Sequence, residues 1–229
     1  AILDALGRAQ FRTGRYREAT VSFERSLPFW TQSSSRIPAL CNAVQAYREL
    51  GDYSKAEKYS REAIALDAAN PRAWQLLGSV LIKRRRYADA EAALRRALLT
   101  NDHAIAASAW RNLAVLYEAQ RRYEESAQSL QHSLELSGPG QDRARILANL
   151  GSVEQRLRRL EPCLLHFSQA SAEMETAVGS DHPDLARILE SYSLALKKAG
   201  RRAEAAQANR RANEIWSFRH AKVDWRDLN

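Results

Sequence analysis

Apolar residues recur along this chain at helical spacing, in two kinds of segment that alternate. One kind places a small residue one turn after a large apolar one, as in Trp74-x-x-Leu77-Gly78. The other begins with Tyr-x-x-Ala and continues with apolar residues every three or four positions, as at Ala90 and Leu94. Such spacing gives an α-helix one apolar stripe. The pattern therefore predicts helix pairs along the whole chain, with no strand-forming segment.

The Tyr-x-x-Ala element returns at nearly constant intervals. Its first four copies place their alanine or serine at positions 19, 56, 90 and 126, so the steps are 37, 34 and 36 residues. Two weaker copies, Leu160/Cys163 and Arg202/Ala205, follow at steps of 37 and 42 residues. A period in this range is typical of stacked repeats, in which each unit buries its apolar face against its neighbours. We therefore expect an all-α fold of about six helix-turn-helix repeats.

The residues around this element resemble the tetratricopeptide repeat. That family has Trp-x-x-Leu-Gly-x-x-Tyr in the first helix and Ala-x-x-x-Phe in the second. The third copy matches the first half best, and Ala19-x-x-x-Phe23 matches the second half. The resemblance implies a right-handed superhelical α-α solenoid that acts as a protein-binding scaffold. The repeats are expected at about 1–33, 37–70, 71–104, 107–140, 144–177 and 184–216, followed by a C-terminal extension over 217–229.

The last repeat differs from the others. The segment Val178–Ala186 and the 42-residue step resemble the longer repeats of kinesin light chains and their bacterial relatives. The second helix of this repeat is polar, with Arg202 in place of tyrosine, so we expect it to form a solvent-facing cap. The aromatic and apolar residues after it are expected to fold back on the cap, and the alternative is an exposed tail that binds a partner. These residues are Trp216, Phe218, Val223 and Trp225.

Turn and cap residues indicate where the helices end and begin. The turn inside each repeat carries glycine at positions 14, 51 and 200, and arginine at positions 85, 121 and 158. Before several first helices stands a side chain that can accept a hydrogen bond from the first helical turn. These predicted capping positions are Asn70, Asp102, Asp142 and the pair Asp181-His182.

The chain is basic, and the repeat period places most of its charge on one face. Its 35 basic and 27 acidic side chains give a net charge of +8, which indicates an acidic peptide, nucleic acid or membrane surface as partner. In the tetratricopeptide family the first helices line the concave surface. Their outward positions carry eleven bases and four acids in this chain, a net charge of +7. The alternative is that these bases only solubilise the helices.

Asparagine recurs on the same face, at the sixth position of repeats two, four and five. Its amide both donates and accepts, so a row of asparagines can pair with the backbone of an extended peptide, while arginine binds carboxylates. For each asparagine, a hydrogen bond between helices is the alternative. The basic groove is thus expected to bind an extended, acidic peptide segment of a protein partner. The candidate peptide-binding residues are Asn42, Arg72, Arg111, Asn112, Arg145, Asn149, Arg156, Arg187 and Lys198.

Motifs of catalysis and metal binding are missing from the sequence. The five histidines are far apart, and no phosphate-binding glycine loop or nucleophile elbow is present, so we expect no enzyme activity, cofactor or metal site. Cys41 and Cys163 lie three repeats apart, too far for a disulfide in a solenoid. No apolar run approaches the roughly 20 residues that span a bilayer. The compartment stays open: cytoplasmic, or exported if a signal peptide precedes Ala1.

Two alternative functions remain open. A basic helical array could follow a phosphate backbone, although most of its aromatic residues occupy packing positions and would not stack on bases. The exposed edge of the first repeat, with Ile2, Leu3 and Leu6, could also stack on a second copy of the chain. A homo-oligomer of this kind would be compatible with peptide binding.

Overall fold

The computed structural model describes residues 2–222, and these are almost entirely helical. They form twelve α-helices and one short 3-10 turn, Leu27–Phe29, with no strand among them. This confirms the predicted all-α fold of helix-turn-helix repeats. None of the described helices combines the length and the apolar composition needed to cross a membrane. The helices are α1 (Ile2–Arg12), α2 (Tyr16–Ser26), α3 (Ser33–Leu50), α4 (Tyr53–Leu66), α5 (Pro71–Lys83), α6 (Tyr87–Ala97), α7 (His103–Ala119), α8 (Tyr123–Glu135), α9 (Gln141–Arg156), α10 (Leu160–Val178), α11 (Pro183–Lys198) and α12 (Arg202–Lys222).

The chain divides into two compact units, Ala1–Leu116 and Tyr117–Asn229. In the first unit α1 to α6 pack in chain order, each against the next, and the first helices α1, α3 and α5 also contact one another in sequence. In the second unit α8 to α12 pack in the same way, and α9 contacts α11. Each unit is therefore held together by contacts between neighbouring helices, as expected for stacked repeats.

The two helices of a repeat approach closely where a small residue faces a large one. A Cβ atom placed on Gly78 would lie 2.5 Å from Cγ of Leu94, and one on Gly7 would lie 2.7 Å from Cε1 of Phe23. Both distances are well inside the 3.5–4.0 Å at which carbon atoms attract. The small residue that recurs in the first helices is thus required by packing, and the large residues opposite it, Phe23 and Leu94, are fully buried.

All six turns inside the repeats close with the same hydrogen bonds. In the third repeat Arg85 N–H donates to the carbonyl of Ile82 at 2.9 Å, and Arg86 N–H donates to that of Leu81 at 3.0 Å. This is a Schellman motif, which ends a helix with one residue in the left-handed conformation. The left-handed residues are Gly14, Gly51, Arg85, Arg121, Arg158 and Gly200. The turn positions predicted from the sequence are confirmed.

The residue that follows the left-handed one is arginine in five of the six turns. A guanidinium cannot accept a hydrogen bond from the first helical turn. Four of these arginines pair with acids instead, and the fifth, Arg15, donates to Thr13 Oγ1 at 3.2 Å. Arg86 Nη2 lies 2.6 Å from Asp89, and Arg159 Nη2 reaches Glu124 in the preceding repeat at 2.8 Å. Only the second repeat has a capping carboxylate at this position, Asp52, which accepts from Lys55 N–H at 3.0 Å.

Three of the four predicted caps of first helices are observed. Asn70 accepts a hydrogen bond from Ala73 N–H at 3.1 Å, and Asp102 accepts one from Ala104 N–H at 2.9 Å. At α11 the acceptor is the ring nitrogen of His182. The prediction for Asp142 is wrong, because α9 begins at Gln141 and the residue before it, Gly140, caps the helix without a side chain. Asp142 already lies inside the first helical turn.

The last helix, α12, is continuous from Arg202 to Lys222, so the first residues of the predicted C-terminal extension are helical. Trp216 is half-buried against the core of the second unit, and its Nε1 donates to Glu190 at 2.7 Å. Phe218 is 48% exposed. Val223 and Trp225 lie outside the described residues.

Candidate functional site

The first helices of the first unit line a cavity of about 480 Å³. Its wall contains three guanidinium groups, two side-chain amides and two phenyl rings, contributed mainly by α1, α3 and α5. The cavity thereby brings together two predicted binding residues, Asn42 and Arg72, with further residues of the predicted basic face. Its lining residues are Arg8, Phe11, Arg12, Phe23, Asn42, Gln45 and Arg72.

One carboxylate compensates part of the charge in this cavity. Asp4, which the sequence places on the outward face, is only 7% exposed. Its Oδ2 lies 3.0 Å from Nη1 of Arg8, and its Oδ1 accepts a hydrogen bond from Nδ2 of Asn42 at 3.4 Å. Asn42 therefore makes the bond between helices that is the alternative to peptide binding. Within the described residues, neither Arg12 nor Arg72 forms an ion pair.

A second cavity in the same unit, of about 520 Å³, shares Asn42 and Arg72 with the first. Asp67 and Asp102 also line it, and Arg72 is its one basic residue. Of these two cavities, the first, beside α1, is therefore the more basic.

Arg111 and Asn112, on α7, line neither of these cavities. Both are half-buried. The Nδ2 atom of Asn112 is buried and has no hydrogen-bond acceptor among the described residues. A buried donor left unpaired costs about 1–3 kcal/mol.

The second unit brings three predicted binding residues together in a smaller cleft of about 230 Å³ between α9 and α11: Arg145, Asn149 and Arg187. Asp184, which sequence reasoning missed, lies between the two arginines. It contacts Arg145 Nη2 at 2.6 Å and Arg187 Nη1 at 3.0 Å. Burial alone would raise the pKa of Asp184, but the hydrogen bond from Arg145 and the nearby positive charges hold that pKa below its ordinary value. Asp184 therefore stays ionised and cancels one of the two positive charges.

Arg156 and Lys198 lie at the C-terminal ends of α9 and α11, whereas Arg145 and Arg187 lie near the N-terminal ends. The Arg156 guanidinium carbon is 5.6 Å from the centre of the Tyr123 ring, a cation–π arrangement. Its charge also acts on Glu118, whose pKa is raised by burial. Lys198 is exposed and has no ion pair within residues 2–222. These two residues are thus apart from the cleft of the second unit.

Comparison with known proteins identifies the repeats. Two family models of the tetratricopeptide repeat match this chain, one over residues 47–109 and the other over residues 109–144. No curated protein gives a significant match to the sequence. The matched residues cover the second to fourth repeats as predicted from the sequence.

Solved structures with the same helical repeat fold cover most of the chain. BtubC (BKLC) from P. vanneervenii is 18% identical and has a TM-score of 0.75, covering 90% of this chain and 90% of its own. The pilF structure from Pseudomonas aeruginosa is 18% identical, with a TM-score of 0.71 and coverage of 94% and 91%. TTC0263 from Thermus thermophilus, described as a thermophilic TPR protein, is 20% identical, with a TM-score of 0.69 and coverage of 85% and 97%. At these identities the likeness shows the fold alone.

Proposed function

This chain is a tetratricopeptide repeat protein, and we propose that its first helices hold an extended, acidic segment of a partner protein. Proteins of this family are scaffolds for protein–protein interaction. The observation that carries the proposal is the cavity beside α1, where neither Arg12 nor Arg72 of the wall forms an ion pair with a described residue. Carboxylates supplied by a partner would form ion pairs with these two arginines.

The groups in this cavity suit an acidic peptide in three respects. Guanidinium groups bind carboxylates through paired, charge-assisted hydrogen bonds. The amide nitrogens of Asn42 and Gln45 donate within the protein, and their side-chain oxygens can accept from the N–H groups of a peptide backbone. A volume of about 480 Å³ lies in the range of pockets that enclose a ligand.

The two units are expected to contribute unequally. In the second unit an incoming carboxylate must compete with Asp184 for Arg145 and Arg187. In the first unit Arg12 and Arg72 form no ion pair with a described residue, and the carboxylates of Asp67 and Asp102 line only the second cavity beside Arg72. Substitutions at Arg12 and Arg72 should therefore weaken binding more than substitutions at Arg145 and Arg187.

Charge reversal tests the proposal directly. A fluorescein-labelled oligoglutamate peptide is titrated with the parent chain and with the R12E/R72E variant, and fluorescence anisotropy reports binding. Each charge-assisted hydrogen bond contributes about 1.5–3 kcal/mol, so the double variant should bind at least about a hundredfold more weakly. The R145E/R187E variant should show a smaller loss. Far-UV circular dichroism should be the same for all three proteins.

The matched control is R25E/R210E, which changes the net charge by the same amount at two exposed positions on α2 and α12. It should bind the peptide like the parent. An equal loss in the control would mean that overall charge attracts the peptide, and the proposal would be wrong. A parent chain that ignores oligoglutamate but binds a single-stranded oligonucleotide, with the same dependence on Arg12 and Arg72, would favour the nucleic-acid alternative.

A further inference from the structure

Arginine occupies the left-handed turn position in three of the six repeats. The backbone φ angles are 59° at Arg85, 62° at Arg121 and 60° at Arg158. All three residues are exposed. Within the part of the chain that the structure describes, none of these three side chains makes a hydrogen bond or an ion pair. They are therefore available to a partner.

The turn itself does not explain these arginines. A positive φ strains any residue that has a Cβ atom, whereas glycine adopts it freely. The other three turns have the same hydrogen bonds and contain glycine, at positions 14, 51 and 200. A turn that served only to reverse the chain would therefore carry glycine. The arginine side chain at this position points to a role outside the turn.

Two of the arginines that follow the left-handed residue, Arg86 and Arg159, form ion pairs with acids of the preceding repeat. In the second unit Arg159 forms its ion pair with Glu124, in the first turn of α8. The charge of Arg201 likewise interacts with Glu161, in the first turn of α10. Because α8 to α12 pack in chain order and α9 contacts α11, these three successive turns lie side by side. We call this row, residues 119–125, 156–161 and 197–204, the turn edge.

The turn edge is strongly basic. Its three segments contain nine basic and four acidic side chains, a net charge of +5 within a chain whose total is +8. The acids Glu124, Glu125 and Glu204 already pair with arginines of the edge. Arg121, Arg158 and Arg202 are exposed and have no ion pair among the described residues. The edge thus presents positive charge that the chain itself does not neutralise.

We propose that the turn edge docks the protein on an anionic lipid membrane, with Arg121 and Arg158 in contact with the headgroups. Helices pack about 8–10 Å apart, so the exposed arginines of successive turns are separated by a distance on the order of 10 Å. Neither Arg121 nor Arg158 lines a cavity described above. These arginines lie along an edge and not in a cleft, which suits a partner that presents many anionic groups in one plane. A membrane is such a surface, and it attracts basic side chains without requiring a fixed geometry.

A nucleic-acid strand fits this edge less well. Binding of single strands without sequence preference uses exposed aromatic rings on which bases stack. Tyr123 is the one aromatic residue in the three segments. Its ring is half-buried and lies next to the guanidinium of Arg156. The edge therefore offers charge without a stacking platform, which favours the membrane.

The test uses the full chain and its R121G/R158G variant in co-sedimentation with phosphatidylcholine vesicles, with and without phosphatidylserine. The parent should bind only the vesicles that contain phosphatidylserine. Each basic residue near an anionic surface strengthens binding by about fivefold, so the partition coefficient of the variant should fall by roughly 25-fold. Its thermal midpoint should be equal to that of the parent or higher, because glycine is relaxed at a positive φ. Binding of the oligoglutamate peptide should not change, which separates this surface from the proposed peptide groove.

The matched control, R25A/R210A, removes the same number of positive charges from exposed positions outside the turn edge. It should bind vesicles like the parent. The proposal is overturned if the control loses as much binding as R121G/R158G, if R121G/R158G binds like the parent, or if the parent ignores phosphatidylserine. It is also overturned if only an oligonucleotide shows the dependence on Arg121 and Arg158, which would make a nucleic acid the partner.

Discussion

Replacing Gly78 with alanine is expected to destabilise the protein, because α5 and α6 leave no room for a methyl group. The new Cβ would lie 2.5 Å from Cγ and 2.6 Å from Cδ2 of Leu94, and 3.4 Å from the carbonyl oxygen of Ala90. Leu94 has no exposed surface. Its side chain can therefore move aside only by displacing other atoms of the core.

Two opposing effects set the size of this change. Alanine is favoured over glycine inside a helix by about 0.5–1 kcal/mol. Overpacking a core costs about 1–3 kcal/mol, so G78A should lower the free energy of unfolding by about 1 kcal/mol. At Gly151 the new Cβ would lie 3.1 Å from the nearest ring atom of Phe167, and a small shift of the ring suffices. For G151A the two effects should nearly cancel.

Urea unfolding followed by far-UV circular dichroism measures these differences, and a double-mutant cycle isolates the clash. L94A removes the atoms that the new Cβ would meet. In the L94A background, G78A should therefore stabilise the protein through helix propensity alone. The reasoning is refuted if G78A is as stable as the parent, or if its cost persists when Leu94 is absent.

Two further predictions concern buried ionisable groups. Glu57 is almost buried among Arg61, Arg84 and Arg86, so E57Q should lower the free energy of unfolding by about 1–3 kcal/mol at neutral pH. Burial alone would raise the pKa of Glu57, but the arginines hold that pKa below its ordinary value of 4.5. The ionised Glu57 therefore stabilises the folded protein above that pH, and this stabilisation is lost in acid. Parent and variant should therefore converge in acidic urea titrations, and a gap that stays constant with pH would contradict this explanation. Burial also raises the pKa of Cys41 and Cys163 to about 11. Both thiols should resist Ellman's reagent in the folded protein and react in urea, and rapid labelling without urea would show that the thiols are accessible. The free energy of unfolding should also decline from about pH 9 towards pH 11, because in that range only the thiols of the unfolded chain ionise.

Features that depend on residues close in sequence were predictable. The helix pairs and the positions of the turns inside the repeats follow from local spacing and were found where expected. Ion pairs of the arginines beside the turns can be predicted as well. Arg86 and Asp89, like Arg201 and Glu204, lie three positions apart, a separation that allows contact on one helix.

Features that depend on contacts between helices were not predictable from spacing. Asp184 compensates Arg145 of the groove from 39 positions away, and Asp4 on α1 accepts a hydrogen bond from Asn42 on α3, 38 positions away. Nothing in the local pattern shows that these side chains meet, so counting charges on a face overestimates how many are available. The predicted cap at Asp142 is wrong because of the backbone conformation. The residue that precedes α9, Gly140, has a φ of 136°, which a residue with a side chain rarely adopts.

The six Schellman turns also limit where the length of the chain can change. In every repeat the left-handed residue stands two positions before the start of the second helix, as Gly14 before Tyr16 and Arg158 before Leu160. One inserted residue there would break both hydrogen bonds of the turn. The connections between repeats have no such constraint and differ in length. A reporter peptide or cleavage site is therefore best introduced near Gly138, which lies in one of those connections and has open space around it. Repeat arrays of this kind can gain or lose whole repeats, while the turns inside the repeats keep one length.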